Sequence, residues 1–213
     1  MAVKNDREYR DMTMEIRTAE NEEAPEERKV VKGYASTFNE PYTLYENDDW
    51  RFNEVVDARA FDNTDMSDVI MQYDHEGRVF ARMSNNTLTV VPDERGLLIE
   101  ADLGGTELGR QLFEEIRGGY TNKMSFGFTV DGEEILDTKD EDGKDLTVRT
   151  ITSVRKLYDV SAVSLPANDA TSISVRSLTD GEIERIRAER LEAEALELRR
   201  RKLLARAKLN GGQ

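Results

Sequence analysis

The chain has 213 residues, one histidine, no cysteine and a formal net charge of −14. That length allows one domain with a real core or a domain plus an appendage, and the missing cysteines exclude disulfides, a thiol nucleophile and thiolate metal sites. The acidic balance argues against nucleic acid as a partner. No apolar run approaches the roughly 20 residues of a membrane span, and the opening MAVKNDREYRDM lacks the apolar core of a signal peptide. The expectation is a protein made and used in a cytoplasm, with neither membrane nor nucleic acid as partner.

Residues 1–29 read as a polar N-terminal segment, with a first strand around Met12 to Arg17 and an acidic run after it. Val30 to Phe38 is strand-like, and residues 39–52 (NEPYTLYENDDWRF) read as a polar and aromatic loop broken by Pro41. Asp57 caps one helical turn through Phe61. Val69 to Tyr73 is a short apolar strand that runs into Asp74-His75-Glu76-Gly77. Val79 to Met83 and Thr87 to Val91 read as a hairpin around Ser84-Asn85-Asn86. Gly96 to Leu103 alternates, with Leu97, Ile99, Ala101 and Leu103 on one face.

Thr106 to Arg117 is a helix, with Thr106 as N-cap, Leu108, Leu112 and Ile116 at helical spacing, and Gly118-Gly119 as its end. In the next stretch Met124, Phe126, Phe128 and Val130 alternate with Ser125, Gly127 and Thr129, the period of a half-buried strand. Ser125 therefore falls on the face away from the apolar set, with open space left beside it by Gly127. An acidic hairpin tip over 137–145, one or two strands from Thr147 to Ser164, a turn at Pro166 and a last strand from Thr171 to Arg176 complete the domain.

Many short strands and one clear helix suggest a mainly β, α+β domain: a closed or nearly closed antiparallel barrel over 30–177. From Leu178 the composition changes to Glu, Arg, Leu and Ala without proline, which predicts a long amphipathic helix over 178–213. Its apolar stripe, Ala188, Leu191, Ala195, Leu198, Ala205 and Leu209, is thin. Residues 199–213 carry six basic and no acidic side chains, leaving about −20 on the rest. A basic tail on an acidic body suits docking to an acidic scaffold.

Familiar sites fail on spacing. With Gly143 at the sixth place of a calcium loop, Arg149 falls where a chelating carboxylate belongs. No Walker lysine follows Gly104-Gly105, one histidine leaves little for zinc, and Lys123 spoils a nucleophile elbow around Ser125. No cofactor and no metal are expected. Acyl transfer by a serine needs a base, and His75 is the single imidazole in the chain. The base needs a group to orient it. Asp159, a carboxylate inside the apolar run around Tyr158 and Val160, is costly there without a partner and is the candidate, with Asp74, Glu76 or no carboxylate at all as alternatives.

The order His75, Ser125, Asp159 is carried by a set of short tags. They are Gly33-Tyr34-Ala35 with Phe38; Glu54 with Ala60-Phe61; Asp74-His75; Met124-Ser125-Phe126-Gly127-Phe128; and Asp159-Val160-Ser161 with Pro166-Ala167. In this set the chain resembles the prohead proteases of tailed bacteriophages, of the HK97 type, and is distantly similar to herpesvirus assemblins. The resemblance covers about residues 30–176. It implies a serine endopeptidase that cleaves scaffold segments or the major capsid protein inside the prohead, in the host cytoplasm, and then itself. Ser125 would be the nucleophile and His75 the base. Assemblins use a second histidine as third member, which this chain lacks. Their pairing adds the expectation of a homodimer. The alternative is a non-catalytic capsid or scaffold-interaction module on the same barrel.

Overall fold

The computed structural model of the chain describes residues 7–12, 17–18 and 29–164, together with residues 188 and 199. In chain order the elements are β1 (Glu8–Met12), β2 (Arg17–Thr18), β3 (Val30–Thr37), β4 (Tyr42–Glu46), β5 (Trp50–Val56), β6 (Ile70–Tyr73), β7 (Glu76–Arg82), a 3₁₀ turn (Met83–Asn85), β8 (Leu88–Pro92), β9 (Gly96–Asp102), α1 (Glu107–Arg117), β10 (Lys123–Lys139) and β11 (Asp145–Val163). The chain divides into two compact units, Met1–Ser177 and Leu178–Gln213. The long helix expected in the second unit, like the strand from Thr171, lies outside the described residues. Of that stretch only Ala188 and Arg199 are described, each helical and exposed.

The strands form two sheets and not the closed antiparallel barrel expected from the sequence. One sheet runs β1-β10-β11-β5-β4, with β6 and β7 branching from β11; the other runs β2-β3-β9-β8. The cause is the length of β11, 19 residues. Its first part pairs in parallel with β5 from Asp145 to Ile151, and its last part pairs in parallel with β6 from Asp159 to Ala162. One strand with two successive neighbours on the same side branches a sheet instead of rolling it shut. One hydrophobic core draws on both sheets: Val31, Ala35, Val90, Leu97 and Ile99 from the smaller, Met71, Met124, Phe126, Phe128 and Ile151 from the larger. Helix α1 adds Leu112, Phe113 and Ile116. Its Thr106 hydroxyl accepts from Gly109 N–H at 2.9 Å, and its C-terminus passes into Gly119 at φ 76°.

Three local expectations change. The loop expected over 39–52 is largely the hairpin β4–β5. Asn47 Oδ1 accepts from the amides of Asp49 and Trp50 at 3.0 and 2.8 Å, which folds the chain back, and Trp50, Phe52, Glu54 and Val56 then alternate inward. β7 and β8 are not hairpin partners. β7 pairs with β6 and β8 with β9, and the turn at Met83–Asn85, closed by Asn86 at φ 59°, carries the chain from one sheet to the other. Residues 58–63 form hydrogen-bonded turns, not a helical turn, although Asp57 does accept from Arg59 N–H at 2.8 Å.

Candidate active site

His75 sits at the tip of the β6–β7 hairpin, where Tyr73 pairs with Glu76 and two residues make the turn. Asp74 and His75 both take positive φ, 48° and 58°, as a tight two-residue hairpin demands. Neither is glycine, so this costs roughly 1–2 kcal/mol per residue, and the surroundings must hold it. They do. Asp74 N–H donates to Ala162 O at 3.0 Å, and the Asp74 carboxylate accepts from Ser164 N–H and Ser164 Oγ, each at 2.9 Å. The tip is thereby tied to the end of β11.

Ser125 lies on β10 and Asp159 on β11, opposite neighbours in the ladder: Ser125 pairs with Ser161 and Gly127 with Asp159. In a regular strand Leu157 and Asp159 would share a face. Here the register skips between Gly127 and Phe128, so that Phe128 pairs with Leu157 and Tyr158 is the extra residue. This bulge reverses the alternation. Leu157 and Val160 both enter the core, and Asp159 turns to the face of Ser125.

The structure brings the three singled-out side chains into one hydrogen-bonded row. His75 Nε2 lies 2.5 Å from Ser125 Oγ, and His75 Nδ1 lies 2.5 Å from Asp159 Oδ1. Ser161 Oγ donates to the same carboxylate oxygen at 2.9 Å and is 3.3 Å from Nδ1. Ser125 and Asp159 are fully buried, and the His75 side chain is 14% exposed. A neutral imidazole whose Nδ1–H donates a hydrogen bond to Asp159 offers Nε2 as acceptor to the serine hydroxyl. Asp74 serves the turn, and among the described contacts neither it nor Glu76 orients the imidazole.

Sequence reasoning left Ser125 on an open face, and that is corrected. β1 pairs antiparallel with the start of β10, Asp11 opposite Ser125 and Tyr9 opposite Gly127. The space beside Gly127 is filled. A Cβ there would press on Asp159 Oδ2 and stand 2.9 Å from Tyr9 Cε1 and 3.1 Å from Arg7 Nε. Arg7 forms an ion pair with Asp159 Oδ2, and its guanidinium lies 4.5 Å from the Tyr158 ring centre. Burial lowers the Arg7 pKa. Tyr9 meets the His75 ring edge-on, centroids 4.4 Å apart. Arg10 O accepts from Ser125 Oγ at 3.0 Å.

The other face of β1 enters a buried charge network. Arg10 pairs with Glu54 and Glu8, and Arg149 pairs with Glu8 at 2.7 Å, Glu54 at 2.8 Å and Glu133 at 2.5 Å. The Tyr42 hydroxyl donates to Glu54. Burial pushes the Glu8 carboxyl up, but the hydrogen bond from Arg149 and the charges of Arg10 and Arg149 outweigh it and hold the group at about 2. Arg7, Tyr9 and Arg10 were missed in the sequence because EYRDM has no apolar alternation. Both of its faces meet polar or charged partners, so the signal that reveals a strand is absent.

A family model described as caudovirus prohead serine protease matches residues 13–185. No curated protein and no solved structure matches the chain.

Proposed function

The chain belongs to the caudovirus prohead serine protease family, and from that premise we propose that Ser125, His75 and Asp159 perform its peptide hydrolysis. A serine peptidase of the phage prohead acts within the prohead in the host cell, on capsid-related substrates. The observation that supports these residue roles is the row Asp159–His75–Ser125, with both contacts at 2.5 Å.

The chemistry follows from the row. His75 Nε2 takes the Ser125 proton as Oγ bonds to the substrate carbonyl carbon. The imidazolium so formed is held and stabilised by Asp159 through Nδ1–H. His75 then gives the proton to the departing amine, the C–N bond breaks, and an acyl-enzyme ester remains. Water attacks the ester with its proton passing to His75, and Ser125 regains a proton as the acid product leaves. Backbone or side-chain donors aimed at the developing oxyanion contribute typically about 3 kcal/mol each in such reactions. The reading extends to scaffold segments and the major capsid protein as substrates, to cleavage of the chain itself, and to a homodimer.

The test is covalent labelling with a fluorophosphonate. The wild-type chain takes one label on Ser125, and Ser125→Ala takes none. In assembling proheads Ser125→Ala and His75→Ala leave the scaffold segments uncut. Normal maturation with either variant would sink the reading. Intact-mass measurement of the purified wild type against Ser125→Ala reads self-cleavage directly.

A further inference from the structure

Without β1, the first part of β10 would be a free strand edge running past the nucleophile. Resting on the protease reading above, we propose that this edge, Lys123 to Phe128, is where substrate binds, and that β1 occupies it as an internal pseudo-substrate. The true occupant is an extended peptide that pairs with β10 in place of β1 and directs a basic side chain at Glu54.

Ser125 is fully buried with β1 in place, so no acyl donor reaches its Oγ. The Ser125 hydroxyl has one proton and two claimants, His75 Nε2 at 2.5 Å and Arg10 O at 3.0 Å. A carbonyl that holds this proton keeps it from the base. Arg7 places a positive charge on Asp159, the group that must stabilise the imidazolium, and so opposes the proton transfer. Cover, proton and charge all act against catalysis while β1 is docked.

β1 can also leave without taking the last partner of any buried charge. Glu8 and Arg10 are one acid and one base paired with each other, and they depart together. Arg149 keeps Glu54 and Glu133, and Asp159 keeps His75 and Ser161. Arg7 Nε is buried and finds no hydrogen-bond partner among the described residues, and an unpartnered donor there weakens the hold of β1. The family match begins at residue 13, directly after β1. The vacated site retains two carboxylates, Glu54 and Glu133, against one guanidinium, Arg149. It also keeps the Phe128 ring, whose centre lies 5.5 Å from the Arg10 guanidinium. That surplus of negative charge beside an aromatic face fits arginine or lysine.

The test uses the full chain and the rate at which a fluorophosphonate labels Ser125. In Arg7→Ala/Arg10→Ala the rate rises by about tenfold or more, because lost charge-assisted hydrogen bonds shift the covered population by at least that factor. A purely structural role for the two arginines leaves labelling unchanged or slower at unchanged circular dichroism, and that result overturns the proposal. Should the double variant not fold, Met12→Cys/Met124→Cys decides. These positions face each other in the β1–β10 register of a chain with no other cysteine. Its oxidised form labels about tenfold more slowly than the same protein after reduction, by the same population argument; equal rates overturn the proposal. The hexapeptide Arg7–Met12 slows labelling of the double alanine variant, and its Arg10→Glu version does not. Equal slowing by both overturns the basic-residue assignment. If Ser125→Ala abolishes labelling but β1 variants change nothing, this inference alone fails. Labelling that persists in Ser125→Ala fails the protease reading itself.

Discussion

At Gly127 the lack of a side chain lets three strands meet at one point. β10 passes between β1 and β11 there, and the Asp159 carboxylate, the Tyr9 ring and the Arg7 guanidinium all close over the glycine. A methyl group would push the buried carboxylate off its line to His75 Nδ1, since Asp159 has only one methylene with which to yield. Misplacing an orienting group by a fraction of its hydrogen-bond length costs roughly tenfold to a hundredfold in rate. Gly127→Ala is therefore expected to slow fluorophosphonate labelling of Ser125 by about that much. The loss should persist in the Arg7→Ala/Arg10→Ala background, where crowding against Arg7 is gone and the clash with Asp159 remains. Recovery to the parent rate in that background would place the cost on β1 and not on Asp159.

At the scale of elements, two short devices aim the row. The bulge at Tyr158 turns Asp159 toward Ser125, and the β6–β7 turn lifts His75 between them. Asp74 links the second device to β11 through Ser164. Asp74→Ala removes both carboxylate bonds and puts a residue poorly suited to positive φ at that position. It is expected to lower labelling about tenfold with the fold retained, whereas Asp74→Asn, tolerant of the left-handed region and still an acceptor, retains most of it. Equal rates for the two variants would mean that the turn holds itself. These devices also explain what could be read in advance. Ser125 stood out because Met124, Phe126 and Phe128 alternate around it, His75 because the chain has no other imidazole, and Asp159 because a carboxylate in an apolar run needs a partner. The spacing of Leu157 and Val160, three apart and both buried, is the trace of the bulge, but without the ladder it cannot be told from a strand break. Two sheets in place of a barrel were not legible. Strand length and successive parallel partners on β11 are properties of pairing, which alternation within one strand does not encode. β5 was hidden by Glu54, a buried acid where the pattern calls for an apolar residue, and β4 by the polar stretch after Pro41.

Over the whole molecule, the larger sheet keeps five of its strands in one electrostatic unit. Glu8 and Arg10 come from β1, Tyr42 from β4, Glu54 from β5, Glu133 from β10 and Arg149 from β11. Buried groups of this kind hold the sheet together only while ionised and paired; a member that loses its charge leaves its partner in a poorly solvated site. Glu8 gives this a direction. Its carboxyl is held at about 2 against an ordinary 4.5, so the folded state favours the carboxylate. A depressed folded-state value stabilises the fold fully above about pH 4.5, and the contribution is lost as pH falls from there toward about 2. The shift corresponds to an upper bound of about 3 kcal/mol. Urea unfolding followed at pH 6, 4 and 3 should show stability declining through that window. In Glu8→Gln, which keeps the shape but not the titrating charge, the chain starts less stable at pH 6 and declines less steeply. Parallel declines for the two proteins would assign the acid sensitivity to other carboxylates and separate the β1 latch from the stability of the sheet it closes.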